Sequence, residues 1–497
     1  MSAEKAALGN DSQYRRTLGI GAITLMVVAM ASPLSVVAGG IPLAIGMADN
    51  TGTPVYFLAA GIILTVFSVG FTTMGKFVPN AGAFYSYIQA GLGKVPGMGS
   101  AIMAVVSYAF LLLSVIAYCG AGASNVVATF TGVEIPWWLF AVAAWAVIAV
   151  LGYRNVDLSS KVLGVFLALE TISILVLDGA IVAQGGAEGL SAHSFAPTEF
   201  MAGAPGIGFM FAFFGFIGFE ATAVFRNEAK DPDRTIPRAT YLSVAIISVL
   251  YFVSAWCVVQ GGGSSVIAMA VDSPDMIVAN MAATYVGTVL SDMVQVLLVT
   301  SLFACGLASH NVIARYLYNL ANVDAMPKQL AVVHPKHSAP SFASLIVTIG
   351  SLAVLFGCIA AGLDPVTQVY AWFSGGATLG VLSLEMLTSI SVIVFFFRNR
   401  AAAVGLGVWK TVIAPGIASA GMIVVTGLVV MNFPALIGDV TSAVAMGVIV
   451  PISFAIGCVM AVEMKRHHPK EYVALGRLVD AAKVAAPAPA AAATPTA

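Results

Sequence analysis

Long apolar runs recur along the chain at nearly even intervals, separated by short polar connections. A membrane-spanning helix needs about 20 mostly apolar residues. Such segments occupy 18–47, 54–75, 98–123, 136–153, 160–184, 205–225, 238–260, 286–310, 340–361, 366–397, 411–431 and 440–463. Hydrophobic residues make up 59% of the 497 and charged residues only 9%, against about 25% charged in a soluble domain. A folded soluble protein of this size could not hide that much apolar surface, so lipid is the expected solvent for most of it. Barrel strands would be shorter and would alternate apolar with polar side chains, so the runs read as helices. The expected fold is all-α and polytopic, with about twelve transmembrane helices.

Lys and Arg orient such a bundle. With these twelve spans every basic residue, from Lys5, Arg15 and Arg16 through Lys230, Arg234 and Arg398 to Lys470, Arg477 and Lys483, falls on the side of the N-terminus. The opposite loops, around Asp49, Glu134, Glu188, Asp272, Asp364 and Asp439, contain none. A wrong span count would scramble this pattern. Both termini are therefore expected in the cytoplasm of a cell whose plasma membrane the chain crosses many times. Residues 1–17 form a polar cytoplasmic segment, and 464–497 a cytoplasmic tail whose Ala/Pro-rich end, Ala481 to Ala497, is expected to be disordered. Met1 to Arg16 is polar and the first apolar run is too long for a signal-peptide core, so no cleavable signal is expected. A net charge of −1 offers nucleic acid no attracting field. The five cysteines lie in apolar runs at no metal-ligand spacing and read as small packing residues. Trp137, Trp138 and Trp409 sit near span ends, as interfacial belt residues do. No residue pattern fixes an oligomeric state.

Two spans carry the same kind of interruption. The first reads Ala31-Ser32-Pro33-Leu34-Ser35-Val36-Val37-Ala38-Gly39-Gly40-Ile41-Pro42, where prolines remove backbone donors and the glycine pair weakens the helix. The sixth reads Phe213-Phe214-Gly215-Phe216-Ile217-Gly218-Phe219-Glu220. They are the first spans of two consecutive blocks of five, and because five is odd the second block (205–397) would be inverted relative to the first (18–184), with 411–463 adding two helices. Matched interruptions in inverted halves point to a binding site at the bilayer midplane, where unwound backbone offers amides to an anion and carbonyls to a cation. Close helix packing through small residues is the other reading of either interruption alone.

Acidic residues lie at membrane depth without bases. Glu170 sits mid-way along the fifth span, Glu220 in the sixth and Glu385 in the tenth, with Asp178 and Asp292 nearer the outer surface and read as interfacial. A bare carboxylate there costs about 2.5–3.5 kcal/mol on insertion scales. Each is protonated as a structural acid, hydrated in a cavity, or neutralised by H⁺, Na⁺ or a substrate ammonium.

The motifs resemble a known family. The sixth-span run, followed by Glu228-Ala229-Lys230-Asp231-Pro232-Asp233-Arg234-Thr235-Ile236-Pro237-Arg238-Ala239, is similar to the sixth helix and following loop of amino acid permeases of the amino acid–polyamine–organocation superfamily. Pro79-Asn80-Ala81-Gly82-Ala83-Phe84-Tyr85-Ser86-Tyr87 resembles that family's loop after the second helix. His310-Asn311-Val312-Ile313-Ala314-Arg315-Tyr316-Leu317-Tyr318, with Met326-Pro327 and Val333-His334-Pro335, resembles the segment after its eighth. His310 itself reads as a helix-end residue facing the headgroups. The resemblance covers roughly residues 15–465 and implies a five-plus-five inverted repeat, LeuT-like, with broken first and sixth helices and two extra helices. It implies that a substrate carboxylate meets the amides of about Ala38, Gly39 and Gly40, beside Ser35. It implies further that an ammonium meets the carbonyls of Phe214, Gly215 and Ile217, with Phe216 as a gate or pocket wall and Glu220 as a proton or substrate sensor. Val37-Ala38-Gly39-Gly40 only approximates the family's Gly-small-Gly run. Where many members carry a fifth-helix Lys, this chain has Glu170, which can carry a proton, bind a cation or contact a second amine.

The expected function is secondary active import of amino acids, coupled to H⁺ or alternatively to Na⁺, with no other cofactor and no resident metal. An amine or polyamine permease or exchanger is the alternative. A channel lacks its repeated filter or charge rings, an enzyme its nucleophile or metal motif, and ATP coupling its nucleotide loop.

Overall fold

A computed structural model describes residues 18–78, 83–154, 160–334 and 340–476. The polar segment 1–17, Pro79 to Gly82 of the loop motif, Pro335 and the Ala/Pro-rich tail lie outside the described residues.

Eleven described helices are long and apolar enough to cross a membrane. They are α1 (Ile20–Ala48), α2 (Thr53–Met74), α3 (Lys94–Thr131), α5 (Gly164–Gln184), α6 (Pro205–Ala223), α7 (Pro232–Asp272), α8 (Thr288–Asn322), α9 (Ser341–Ala360), α10 (Pro365–Arg398), α11 (Trp409–Ile437) and α12 (Val440–His467). The twelfth, α4 (Trp137–Tyr153), has 17 residues. At about 1.5 Å per residue it is at the lower limit of a span. The chain is thus an all-α polytopic membrane protein, with no β-strand among the described residues.

Sequence punctuation sets the helix ends. Proline, whose missing N–H costs nothing in a first turn, opens α6 at Pro205, α7 at Pro232 and α10 at Pro365. Asp364 caps α10 by accepting from the Val366 and Thr367 amides, and Asp439 caps α12 by accepting from Ser442. α3 and α6 lie in the middle of the bundle, whereas α9 and α12 expose most of their length, including Ile452, Ile456 and Val459, as lipid-facing helices do. Trp138 and Trp409 are exposed near span ends. Four of the five cysteines are buried, Cys458 is half-buried, and none is bridged.

α1 and α6 are both interrupted. Outside the bundle their ends on one side are tied together: the Leu18 amide donates to the Glu228 carbonyl at 3.0 Å, and the Lys230 amide donates back to the Leu18 carbonyl at 3.0 Å.

Two polar residues are packed inside the bundle. Asp178, read as interfacial, is buried and accepts from the Ser254 hydroxyl at 2.7 Å. His310, read as facing headgroups, is buried with Nε2 2.9 Å from Ser344 Oγ, in a seat left by Gly152 of α4. In both cases a neighbouring helix packs over a position that hydropathy alone leaves at the edge.

Candidate functional site

The chain in α1 leaves helical geometry at Ser32, whose φ of 50° is left-handed. Pro33 then opens a new turn in which its absent N–H is harmless. Val36–Gly40 forms a π turn, closed by the Ile41 amide donating to the Val36 carbonyl. Pro42 leaves the Ala38 carbonyl without the i+4 donor of a regular helix, and the Tyr118 hydroxyl of α3 fills that place at 2.8 Å. Tyr118 packs tightly over Gly39, where a Cβ would meet its ring. Ser35 turns back to donate to the Ser32 carbonyl at 2.7 Å.

α6 runs regularly from Pro205 to Phe214 and resumes as a 3₁₀ helix over Phe219–Glu228. Gly218 makes the link possible, with a φ of 113° that a side chain would strain. The Phe214 carbonyl accepts from the Ile217 amide at 3.1 Å. The Gly215 and Ile217 carbonyls accept no backbone hydrogen bond from any described residue. Gly215 lies against Val36 of α1 and Tyr251 of α7, so the two interruptions abut.

The structure brings Ser35, Ala38, Gly39, Gly40, Phe214, Gly215, Phe216 and Ile217 into the bundle interior, with Ser35, Ala38, Phe214, Phe216 and Ile217 all buried. Around them stands an aromatic shell that the motifs did not single out. Tyr370 of α10 packs on Tyr118 with centroids 4.7 Å apart and edge-on to Phe214 at 5.7 Å. Tyr251 packs edge-on to Phe216 at 5.8 Å, and its hydroxyl donates to the Ala31 carbonyl at 3.2 Å. The signal was present: tyrosine favours membrane interfaces, and Tyr118 and Tyr251 stand deep inside apolar spans.

The two acids take separate positions. Glu170 lies at the break in α1. Ser32 Oγ is 2.6 Å from Ser301 Oγ of α8, and Ser301 donates to Glu170 Oε2 at 2.9 Å. The carboxylate also lies beside the Leu34 amide, at the start of the resumed helix. The same side chain helps line a cavity of about 410 Å³ between α3, α4, α5 and α8, otherwise almost wholly apolar. Glu220 instead closes the break in α6. It accepts from the Gly218 amide at 2.9 Å, capping the 3₁₀ turn, and from the Tyr108 hydroxyl of α3. Each acid therefore holds one interruption in place. No group of His, Cys, Asp and Glu among the described residues is arranged to hold a metal ion.

On the side without basic residues a polar cleft of about 630 Å³ opens between α3, α4, the end of α7 and the start of α10. Glu134, Asp272, Asp275 and Asp364 line it, and no Lys or Arg does. Asn125 donates to Asp275 at 2.6 Å on its wall.

Comparison with known proteins follows the same outline. A family model described as amino acid permease matches residues 20–455. The low-affinity putrescine importer of Escherichia coli K12 is 26% identical over 357 residues, covering 69% of this chain and 75% of that protein. The branched-chain amino acid permease of Bacillus subtilis 168 is 22% identical over 413 residues, covering 78% of this chain and 83% of its own length. The mouse b(0,+)-type amino acid transporter 1 is 25% identical over 206 residues, 40% of this chain and 41% of that one. With the family model spanning most of its length and eleven described helices long and apolar enough to cross a membrane, the chain is a multi-pass membrane protein of the amino acid permease family.

Proposed function

We propose that the protein is a secondary active transporter that imports amino acids across the plasma membrane, driven by protons, with both termini in the cytoplasm. The substrate lies between the π turn of α1 and the Gly215–Gly218 link of α6. The observation that carries this reading is the meeting of two backbone interruptions, Val36 against Gly215, with the Gly215 and Ile217 carbonyls unpaired among described residues. Carbonyls free of helical partners accept from a substrate ammonium, and interrupted helices in the two halves of a transporter mark its site. Protons are the favoured driving ion because Glu170 and Glu220 are buried without a Lys or Arg in hydrogen-bonding contact. An acid so placed changes charge by taking up one proton. Sodium remains the other ion such a carboxylate can hold.

A second reading, an amine or diamine permease, is favoured by the acidic cleft with Glu134, Asp272, Asp275 and Asp364. Carboxylates at a pathway mouth raise the local concentration of cations. The importer of putrescine among the relatives is consistent with it.

Uptake by proteoliposomes, with labelled leucine and labelled putrescine, decides between them. Leucine accumulation that requires an inward proton gradient supports the first reading. Accumulation of putrescine alone moves the function to the second, and a requirement for sodium at constant pH replaces the coupling ion.

A further inference from the structure

Buried polar side chains are almost always hydrogen-bonded, and each exception needs a reason. Ten buried side-chain oxygens among the described residues have no partner in the protein, and five of them belong to α10: Tyr370, Ser374, Glu385, Thr388 and Ser389. At 3.6 residues per turn these five fall within an arc of about 100° on one face of the helix. From Tyr370 to Ser389 the face runs about 28 Å at 1.5 Å per residue, close to the roughly 30 Å of a hydrocarbon core.

Serine and threonine in membrane helices usually satisfy themselves by donating to the carbonyl four residues back. Other hydroxyls of α10 do so: Ser383 donates to Leu379 and Ser391 to Leu387, each at 2.7 Å. Ser374, Thr388 and Ser389 do not, although the same bond is open to them. An unpaired carboxyl oxygen at Glu385, in a side chain 3% exposed, lies between them along the same face.

We propose that this face of α10 is a hydrated file for protons, with Glu385 as its ionisable relay and Glu220 as its branch to the substrate site through Tyr108. The proposal rests on the proton-driven reading above. Tyr108 is the near end of that branch, its hydroxyl donating to the Glu220 carboxylate, and the water of the file would bridge from Glu385 to it. One proton enters from the side that bears the acidic cleft, past Tyr370 and Ser374, and binds the Glu385 carboxylate. It leaves to water held by Thr388 and Ser389, or to the Glu220 carboxylate, so each step transfers one proton and restores the donor. Beside Tyr108, α8 brings Tyr316, whose ring centroid is 6.0 Å away and whose hydroxyl also has no partner among the described residues. The Pro205–Phe214 half of α6 and all of α2 bring no acidic or basic residue to α10. The short helix Ala83–Leu92 brings Tyr85, while Lys94, Lys410 and Glu463 stand toward the ends of α3, α11 and α12.

The experiment compares wild type, Glu385→Gln and Thr388→Val in proteoliposomes by two assays: accumulation under an imposed pH gradient, and exchange of labelled for unlabelled substrate without one. The expected result is that both variants keep exchange, that Glu385→Gln accumulates no more with the gradient than without it, and that Thr388→Val accumulates more slowly than wild type. Wild-type accumulation by Glu385→Gln overturns the relay. Should Glu385→Gln not fold, radiolytic hydroxyl-radical labelling of the wild-type protein decides. Labelling of Tyr370 above that of the equally buried Tyr251 supports water on this face, and no difference overturns it. Wild-type protein that exchanges substrate but ignores the gradient refutes proton coupling itself, and the relay with it.

Discussion

Replacing Gly215 by alanine adds one carbon at the point where α1 and α6 meet. That carbon would lie 2.9 Å from Val36 Cγ1, 3.3 Å from Val36 Cγ2 and 3.1 Å from Tyr251 Cε2. Carbon atoms attract best at about 3.5–4.0 Å, so Val36 and Tyr251 must both retreat. Overpacking of this kind costs about 1–3 kcal/mol. Val36 is 2% exposed, and Val36→Ala alone leaves a hole of two methyl groups, at a cost of about 1–2 kcal/mol. The two changes together should hurt less than their sum, because alanine at 36 removes both Cγ atoms that the new carbon strikes. The expected coupling is about 1 kcal/mol in the rescuing direction. Thermal unfolding of the four detergent-purified proteins at one heating rate reads the stability part. Substrate exchange reads the site. A double variant as unstable as the sum of the singles, or more so, would mean that the two interruptions do not touch there, and the placement of the substrate between them would fall.

Gly39→Leu and Gly215→Leu should abolish uptake while the protein still reaches the membrane, because a branched side chain there must push Tyr118 or Val36 out of place beside the proposed site; wild-type uptake in both moves the site elsewhere. Tyr118→Phe leaves the Ala38 carbonyl without its donor and should destabilise by about 1–3 kcal/mol, seen as a lower unfolding midpoint with exchange retained. Glu170→Gln should uncouple uptake from the pH gradient while exchange persists; if diamine binding weakens and neutral amino acids are spared, Glu170 holds a second ammonium instead. Cysteines engineered at Gly186 and Ser273 should react with an impermeant reagent added outside intact cells, and those at Asp231 and Ala331 should not; the reverse pattern would invert the topology.

The spans were legible because lipid imposes one rule on every residue of a spanning helix, and a run such as Ile20–Ala48 states that rule in composition alone. The interruptions were legible as regions, since Pro33, Pro42 and Gly218 each remove something a helix needs. Their fine structure was not. Nothing local says that the chain departs at Ser32, while Val36–Gly40, with its glycine pair, widens into a π turn. Which departure wins depends on partners from α3 and α8, Tyr118 and Ser301, far away in sequence. The same holds for Asp178 and His310, whose burial is set by a neighbouring helix rather than by hydropathy. Glu170 and Glu220 could be flagged as costly, but that each sits on a break, one beside Leu34 and one on the Gly218 amide, follows only from how the helices pack.

The pair of bonds between Leu18 and the stretch Glu228–Lys230 behaves as a clasp. It joins the root of α1 to the foot of α6, the two helices whose middles form the proposed site. A gate that opened by swinging one of these roots away from the other would have to unfasten both bonds, at a net cost of about 0.5–1.5 kcal/mol each. While the clasp holds, the two broken helices share a common heel, and a gate on that side that left both bonds intact would have to tilt them together against α3 and α8 rather than part them.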